Sequence, residues 1–249
     1  MNFQQRKQII LDVVEKKGTV EVKELSEILE TSEITVRRDL ALLSDKGLIY
    51  RTHGGAMKIA LSKDPFTFIH KASLNADRKD HICEIAARQI VDGDVIFLDC
   101  GSTLFRLCPF IKEKKIKVIT NSLPVLYELI NSQVSINLIG GEVDAERQAV
   151  HGEIAKEHIA RYKATKAFIG VDGISLSTGL SANSEKEASI ALSMAKSAQK
   201  VFLLCDSSKL EKEKYFPFAP LSMVDTLITD FEADKKILNR YREKFEVLN

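Results

Sequence analysis

The chain has 249 residues, 45% of them hydrophobic, 29% charged and only five proline, a balance that supports packed cores and excludes a low-complexity or disordered chain. The length exceeds the roughly 100–200 residues of one ordinary domain, so two domains are expected. A formal net charge of +1 excludes a uniformly basic surface, and any contact with a polyanion has to come from local charge.

In chain order, Ile9, Ile10, Val13 and Val14 fall at helical spacing and Gly18 stands where that first helix would stop. Thr19-Val20-Glu21-Val22 is short and β-branched. Leu25, Ile28 and Leu29 form the apolar stripe of a second helix. Thr31-Ser32 supplies an N-cap for a third, whose Val36, Leu40 and Leu43 share one face and which Gly47 ends. Three short helices with a tight turn make a helix-turn-helix. The run from Leu48 to Ala56 reads as strand, Gly-rich turn and strand, which is a wing. These elements fill a small N-terminal winged helix-turn-helix domain over 1–57, and Ser62-Lys63-Asp64-Pro65 marks a linker over 58–74.

Residues 75–249 change pattern. Strand-like runs at Val95-Leu98, Lys117-Thr120, Ser135-Ile139, Ala167-Val171, Val201-Cys205 and Thr226-Thr229 are separated mostly by helical patterns at 77–91, 103–112, 124–131, 154–163, 185–198 and 233–244. Such alternation predicts a Rossmann-like, mainly parallel α/β domain.

Charge is distributed unevenly in the first domain. From Ile34 to Lys58 there are five basic residues against two acidic ones, so the third helix and its hairpin can present one basic face. Arg37 and Arg38 lie off the buried line of the third helix, and arginine reads guanine or clamps phosphate through its planar fork. Ser32 and Thr35 at the helix start can bond phosphate, and Asp39 is expected to orient arginine side chains. Taken alone, paired arginines and a capping hydroxyl are as consistent with an ordinary solvated helix face.

In the second domain the residues just after each strand are small and polar: Asp99-Cys100-Gly101-Ser102-Thr103, Thr120-Asn121-Ser122, Gly140-Gly141-Glu142, Asp172-Gly173 and Asp206-Ser207-Ser208-Lys209. In an open parallel sheet, ligands sit outside the carboxyl ends of the strands. Gly101-Ser102-Thr103 opens a helix, where free amides and hydroxyls suit an anion, and Lys209 offers a cation after another strand. Each loop by itself is also ordinary turn and capping chemistry.

Two constellations carry a resemblance. Ser32-x-x-Thr35-Val36-Arg37-Arg38-Asp39-Leu40-x-x-Leu43 with Gly47-Leu48-Ile49-x-Arg51-x-His53-Gly54-Gly55-Ala56 closely resembles the N-terminal domain of DeoR-family bacterial regulators, with Thr31 where Val is usual. Lys79-x-x-Ile82, Asp99-x-Gly101-x-Thr103, Thr120-Asn121-Ser122, Gly140-Gly141-Glu142, Gly152, Gly170-x-x-Gly173, Glu187-Ala188 and Asp206-Ser207-Ser208-Lys209 resemble the same family's effector domain, whose fold is related to ribose-phosphate isomerase and coenzyme A transferase. Cys100 and Ser102 replace the commoner Ser and Thr, Thr165 replaces a frequent Asp, and the expected upstream basic residue is displaced or replaced near His70-Lys71.

The resemblance implies a transcriptional regulator, most readily a repressor of sugar or carbohydrate metabolism genes, that binds a double-stranded operator as a homodimer or homotetramer and responds to a phosphorylated sugar or related metabolite. It assigns Ser32, Thr35, Arg37 and Arg38 to DNA, with Arg51 and His53 as wing contacts. The effector site it implies draws on Asp99, Gly101, Ser102, Thr103, Asn121, Ser122, Gly141, Glu142, His151, Gly152, Asp172, Glu187 and Lys209. Ser102, Thr103 and Lys209 would hold the phosphate, while Asn121, Asp172 and Glu142 would face hydroxyls.

A rival is a sugar-phosphate isomerase with an appended DNA-binding module, in which Asp172 and Glu187 would act as acid and base and Lys209 would steady an enediolate. No complete acid/base constellation is present, so no catalytic residue is expected. Cys83, Cys100, Cys108 and Cys205 lack C-x-x-C spacing, no histidine pair has ligand spacing, and neither metal nor cofactor is expected. His70, His81 and His158 read as surface or satisfied helix residues. With no apolar run of membrane length and no secretion signal at Met1–Lys7, a cytoplasmic protein without a membrane partner is expected.

Overall fold

The computed structural model describes residues 2–45, 48–51, 54–57 and 74–249. The chain divides into two compact units, Met1–Ala76 and Asp77–Asn249. His53, Gly47 and residues 58–73, which take in nearly all of the expected linker and His70-Lys71, lie outside the described residues.

In the first unit, helix α1 (Phe3–Lys17) begins with a capping box, in which the Asn2 and Gln5 side chains each accept from the other's backbone amide, and ends at Gly18 with φ 76°. Strand β1 (Thr19–Glu21) leads directly into α2 (Val22–Ile28). The chain turns through Glu30, at φ 47°, into α3 (Glu33–Asp45). Strands β2 (Tyr50–Arg51) and β3 (Gly55–Met57) complete a three-stranded antiparallel sheet in the order β1-β3-β2. Gly55 is required there: a Cβ would stand 2.0 Å from the Val20 carbonyl oxygen. Ile10, Val14, Leu25, Leu29, Val36, Leu40, Leu43 and Ile49 form one core, which is what the expected apolar stripes would build.

The second unit is built on a seven-stranded sheet in which every neighbouring pair is parallel. Its strands are β4 (Val95–Leu98), β5 (Lys117–Thr120), β6 (Ser135–Leu138), β9 (Ala164–Ile169), β12 (Ala198–Leu204), β14 (Thr226–Ile228) and β15 (Glu246–Leu248), in the order β15-β14-β12-β9-β4-β5-β6. Successive side chains feed opposite cores. Ile96, Leu98, Val118, Phe168 and Phe202 pack with α4 (Ala76–Arg88), α5 (Ser102–Ile111) and α6 (Leu123–Leu129) on one face. Phe97, Ile119, Ala167, Ile169 and Leu203 pack with α7 (Glu153–Ala160), α8 (Glu185–Lys196) and α9 (Lys235–Arg242) on the other. Phe168 and Phe202, partners in register on β9 and β12, stack at 4.9 Å.

This order reverses direction between β4 and β9, so the loops after those two strands diverge and leave the crevice in which doubly wound sheets bind ligands. Three features carry no signal in the strand pattern: β15, the hairpin β7 (Glu142–Asp144) with β8 (Ala149–His151), and a small antiparallel sheet of β10 (Gly173–Ser175), β11 (Gly179–Ala182) and β13 (Phe216–Ala219). Strand β9 also begins three residues before the expected Ala167. The Thr165 hydroxyl donates to the Val95 carbonyl at 2.9 Å and to Asp94 Oδ1 at 3.1 Å, pinning its start beside β4.

Candidate functional site

Two surfaces matter, one in each unit. On α3, Ser32 is the cap: its Oγ accepts from the Thr35 amide at 3.3 Å and lies 3.0 Å from Thr35 Oγ1. Arg37 and Arg38 are exposed, and Arg37 pairs one turn back with Glu33 at 3.3 Å. Asp39 is buried and clamps Arg6 of α1 through two bonds, Nε to Oδ2 at 2.6 Å and Nη2 to Oδ1 at 3.1 Å. It therefore orients an arginine, and that arginine is Arg6, which ties α1 to α3. Arg51 lies on β2 of the wing sheet.

In the second unit the expected loops do gather at the carboxyl edge of the sheet. Asp99, directly after β4, uses both carboxylate oxygens on backbone: Oδ1 accepts from Cys100 N at 2.7 Å and Oδ2 from Gly170 N at 3.2 Å. It thereby fastens the two loops of the crevice to each other. Burial raises its pKa while the two amide bonds oppose that rise. Gly101 precedes α5, and a Cβ there would press on Leu104 Cδ2 at 2.9 Å. Thr103 is buried and its carbonyl accepts from the Cys83 thiol at 3.2 Å.

Ser102 meets a lysine. Lys79 of α4, only 4% exposed, donates from Nζ to Ser102 Oγ at 3.4 Å. Burial, with the charge of Lys209 second, lowers the Lys79 pKa to about 8, and Asp206 acts in the opposite sense. Lys209 donates to the Val171 carbonyl at 2.8 Å and lies 3.9 Å from Asp206 Oδ2. A buried lysine and a hydroxyl thus meet beside the switch point, where α5 begins, with Lys209 close enough for its charge to act on Lys79.

Lys79 carries a sequence signal that is easily passed over. It shares the helical phase of Ile82, Cys83, Ala86 and Ile90, all buried, so a lysine stands on the apolar stripe of its helix. A charge placed there has a partner or a purpose.

The other loops expected to form the site are neutral or mixed. Asn121 is fully buried; its Nδ2 donates to the Val150 carbonyl at 3.0 Å and its Oδ1 has no hydrogen-bond partner. His151, 1% exposed on β8, has none at either ring nitrogen, and burial lowers its pKa. Glu187 is half-buried near the first turn of α8 and pairs with Arg147 at 3.4 Å. Asp172 Oδ2 accepts from Asn183 N at 2.9 Å.

Other expected site residues are engaged in local structure. Ser122 caps α6, accepting from Val125 N at 3.3 Å. Gly141 (φ 150°) and Gly152 (φ 94°) shape the β7–β8 hairpin; a Cβ on Gly141 would lie 2.7 Å from the His151 carbonyl oxygen. Glu142 is exposed and pairs with the exposed Lys186 at 3.2 Å. His158 is satisfied on its helix, accepting at Nδ1 from Gly140 N at 3.1 Å and meeting Tyr162 Oη at 3.1 Å. His81 instead packs edge-on to Phe231 at 5.3 Å with a buried, unpartnered Nε2. All four cysteines are buried free thiols, and burial raises the pKa of each. Among the described residues no cluster of His, Cys, Asp and Glu suits a metal, and no helix is long and apolar enough to cross a membrane.

A winged helix-turn-helix with exposed arginines, followed by a doubly wound sheet with a buried lysine and small polar loops at its switch point, defines a DNA-binding regulator with a sensor domain. Comparison with known proteins gives the family. A model described as the DeoR-like helix-turn-helix domain matches residues 6–60, and one described as the DeoR C terminal sensor domain matches residues 74–231. The chain belongs to the DeoR family of transcriptional regulators, and its second unit is a sensor domain rather than a catalytic one.

Among curated relatives, the lactose phosphotransferase system repressor of Lactococcus lactis is 36% identical over 100% of this chain and 99% of its own length. The L-fucose operon activator of Haemophilus influenzae is 31% identical over 100% and 99%. The uncharacterized HTH-type transcriptional regulator FruR of Bacillus subtilis is 32% identical over 96% and 95%. Among solved structures, ribose 5-phosphate isomerase A from Methanocaldococcus jannaschii aligns with a TM-score of 0.42 at 20% identity, covering 55% of this chain and 56% of that one.

Proposed function

We propose that this protein is an operator-binding repressor of sugar-metabolism genes whose DNA affinity changes when a phosphorylated sugar occupies the switch-point crevice. The observation that carries this reading is the buried Lys79 on the Ser102 hydroxyl with Lys209 near enough to lower its pKa, because a buried cation with a second in reach suits the dianion of a phosphate monoester. Asp99 would hold the loops in register without touching ligand, and Asn121 and His151 would meet sugar hydroxyls with their unpartnered atoms.

On the DNA side, α3 would enter the major groove with Arg37 and Arg38 outward, Ser32 and Thr35 near a phosphate, and Arg51 and His53 on the wing. A homodimer or homotetramer would present paired helices to a two-fold operator. The names of two relatives, a sugar-system repressor and a sugar-operon activator, support a sugar-gene role.

The test is a titration of promoter DNA from upstream of the gene, followed by a panel of pentose and hexose phosphates. A genuine effector shifts operator affinity or melting temperature at saturating concentration. If no member of the panel moves either, the sensing half of this reading is wrong.

A further inference from the structure

The outward face of α3 carries an apolar side chain that neither the fold nor the arginines explain. Ile34 is 80% exposed, while Val36, Leu40 and Leu43 on the same helix are fully buried. It lies two residues before Val36 and Arg38 lies two residues after it, so each stands about 200° around the helix from the buried line. Ile34 and Arg38 are therefore stacked, one turn of about 5.4 Å apart, on the ridge farthest from the core.

A lone exposed isoleucine is unremarkable on most surfaces. This one stands in the first turn of the second helix of a helix-turn-helix, the turn whose residues reach base edges when such a helix docks. Arg37 and Arg38 on the same helix supply the charge complementarity that would bring the ridge onto DNA, and the clamp between Arg6 and Asp39 fixes the helix against α1.

In the major groove thymine offers a 5-methyl group, an apolar feature that no other base presents there. From these positions we infer that Ile34 reads a thymine methyl one or two base steps from the pair contacted by Arg38. This rests on the docking of α3 proposed above. It makes Ile34 a specificity-determining residue: Arg38 would select a guanine-bearing pair, and Ile34 would distinguish thymine from cytosine beside it.

The test uses the full-length chain and a duplex spanning its footprint on the promoter DNA upstream of its own gene. Each thymidine in turn is replaced by deoxyuridine, which removes the methyl and leaves the hydrogen-bonding edge intact. For the wild type, one replacement per half-site should weaken binding about fourfold, the loss from exposing one methyl-sized group. Ile34→Ala should bind the unmodified duplex weaker by a similar factor, be indifferent to that same replacement, and keep the wild-type salt dependence because no phosphate contact is lost.

A wild type indifferent to deoxyuridine at every position, or an Ile34→Ala variant as sensitive as the wild type, overturns the inference. Arg38→Ala separates this from failure of the docking itself. If that variant binds every duplex as tightly as the wild type, or if the wild type leaves no footprint, α3 is not the reading helix. Because Ile34 is so exposed, an unchanged melting temperature for Ile34→Ala is expected and shows that the fold is intact.

Discussion

The two units place their cations in opposite ways. In the first, the buried charge is an acid, Asp39, neutralised internally by Arg6, and the arginines of α3 are left at the surface. In the second, a lysine is held inside: Lys79 is 4% exposed, beside Ser102, with Lys209 near enough to act on it. Exposed cations suit an extended polyanion met across a solvated groove, where affinity comes from many weak and salt-sensitive contacts. A buried cation suits one compact anion, because in a low-dielectric site a single charge-assisted bond is strong and an empty site is costly. Under the proposed function, the contrast suits each unit to its own kind of ligand.

The largest effect should come from removing the internal clamp of the first unit. Arg6→Met leaves Asp39 buried without its guanidinium, and breaking one side of such a pair costs about 3 kcal/mol. Chemical denaturation should show that loss in the unit that carries α1 and α3. A variant as stable as the wild type would mean that the pair is only a surface contact.

The second unit should reveal its buried lysine through pH. In the unliganded protein Lys79 has a pKa of about 8, below the 10.5 of a free lysine. Between those values the unfolded chain binds the proton more fully than the native protein, so this residue makes stability rise with pH across that window. Phosphate-ester binding should follow the opposite course, weakening as pH climbs past about 8 and Lys79 loses its charge. Calorimetric titration of a sugar phosphate from pH 7 to pH 9.5 measures this. Lys79→Arg should flatten the profile, since arginine stays charged throughout. An equally steep profile in that variant would assign the titration to another group.

The smallest effect is expected at Glu142. Both it and Lys186 are exposed, and such pairs contribute little. Glu142→Gln should leave both stability and sugar-phosphate affinity within twofold of wild type, and a larger loss of affinity would place Glu142 in the effector site.

Much of this was legible in the sequence, for identifiable reasons. The stripe Val36, Leu40, Leu43 and the alternating strand runs report periodicity, and periodicity is what decides helix from strand and which face is buried. The loops after the strands also stood out by their small polar residues, and the parallel topology gathers them at one edge of the sheet.

Residue roles were less legible. Asp99 and Ser122 show only their polarity in sequence; that Asp99 joins two loops through backbone amides and that Ser122 caps α6 depends on the fold. Lys79 looked like part of a helix pattern until its burial beside Ser102 was visible. The β7–β8 hairpin and the β10–β11–β13 sheet depend on pairings distant in sequence and on glycines whose role is close approach. At Gly173, for example, a Cβ would stand 2.4 Å from the Lys212 carbonyl oxygen.

The proposed function requires that phosphate binding at the switch point be coupled to DNA binding by α3. The most direct measurement is operator affinity with and without a saturating sugar phosphate, for the wild type and for Lys79→Met. The wild type should change affinity by about tenfold, the scale of ordinary allosteric coupling. Lys79→Met should bind the operator as the wild type does without ligand, and should not respond to ligand. An operator affinity that ignores every sugar phosphate, or a Lys79→Met variant that responds like the wild type, would contradict the account.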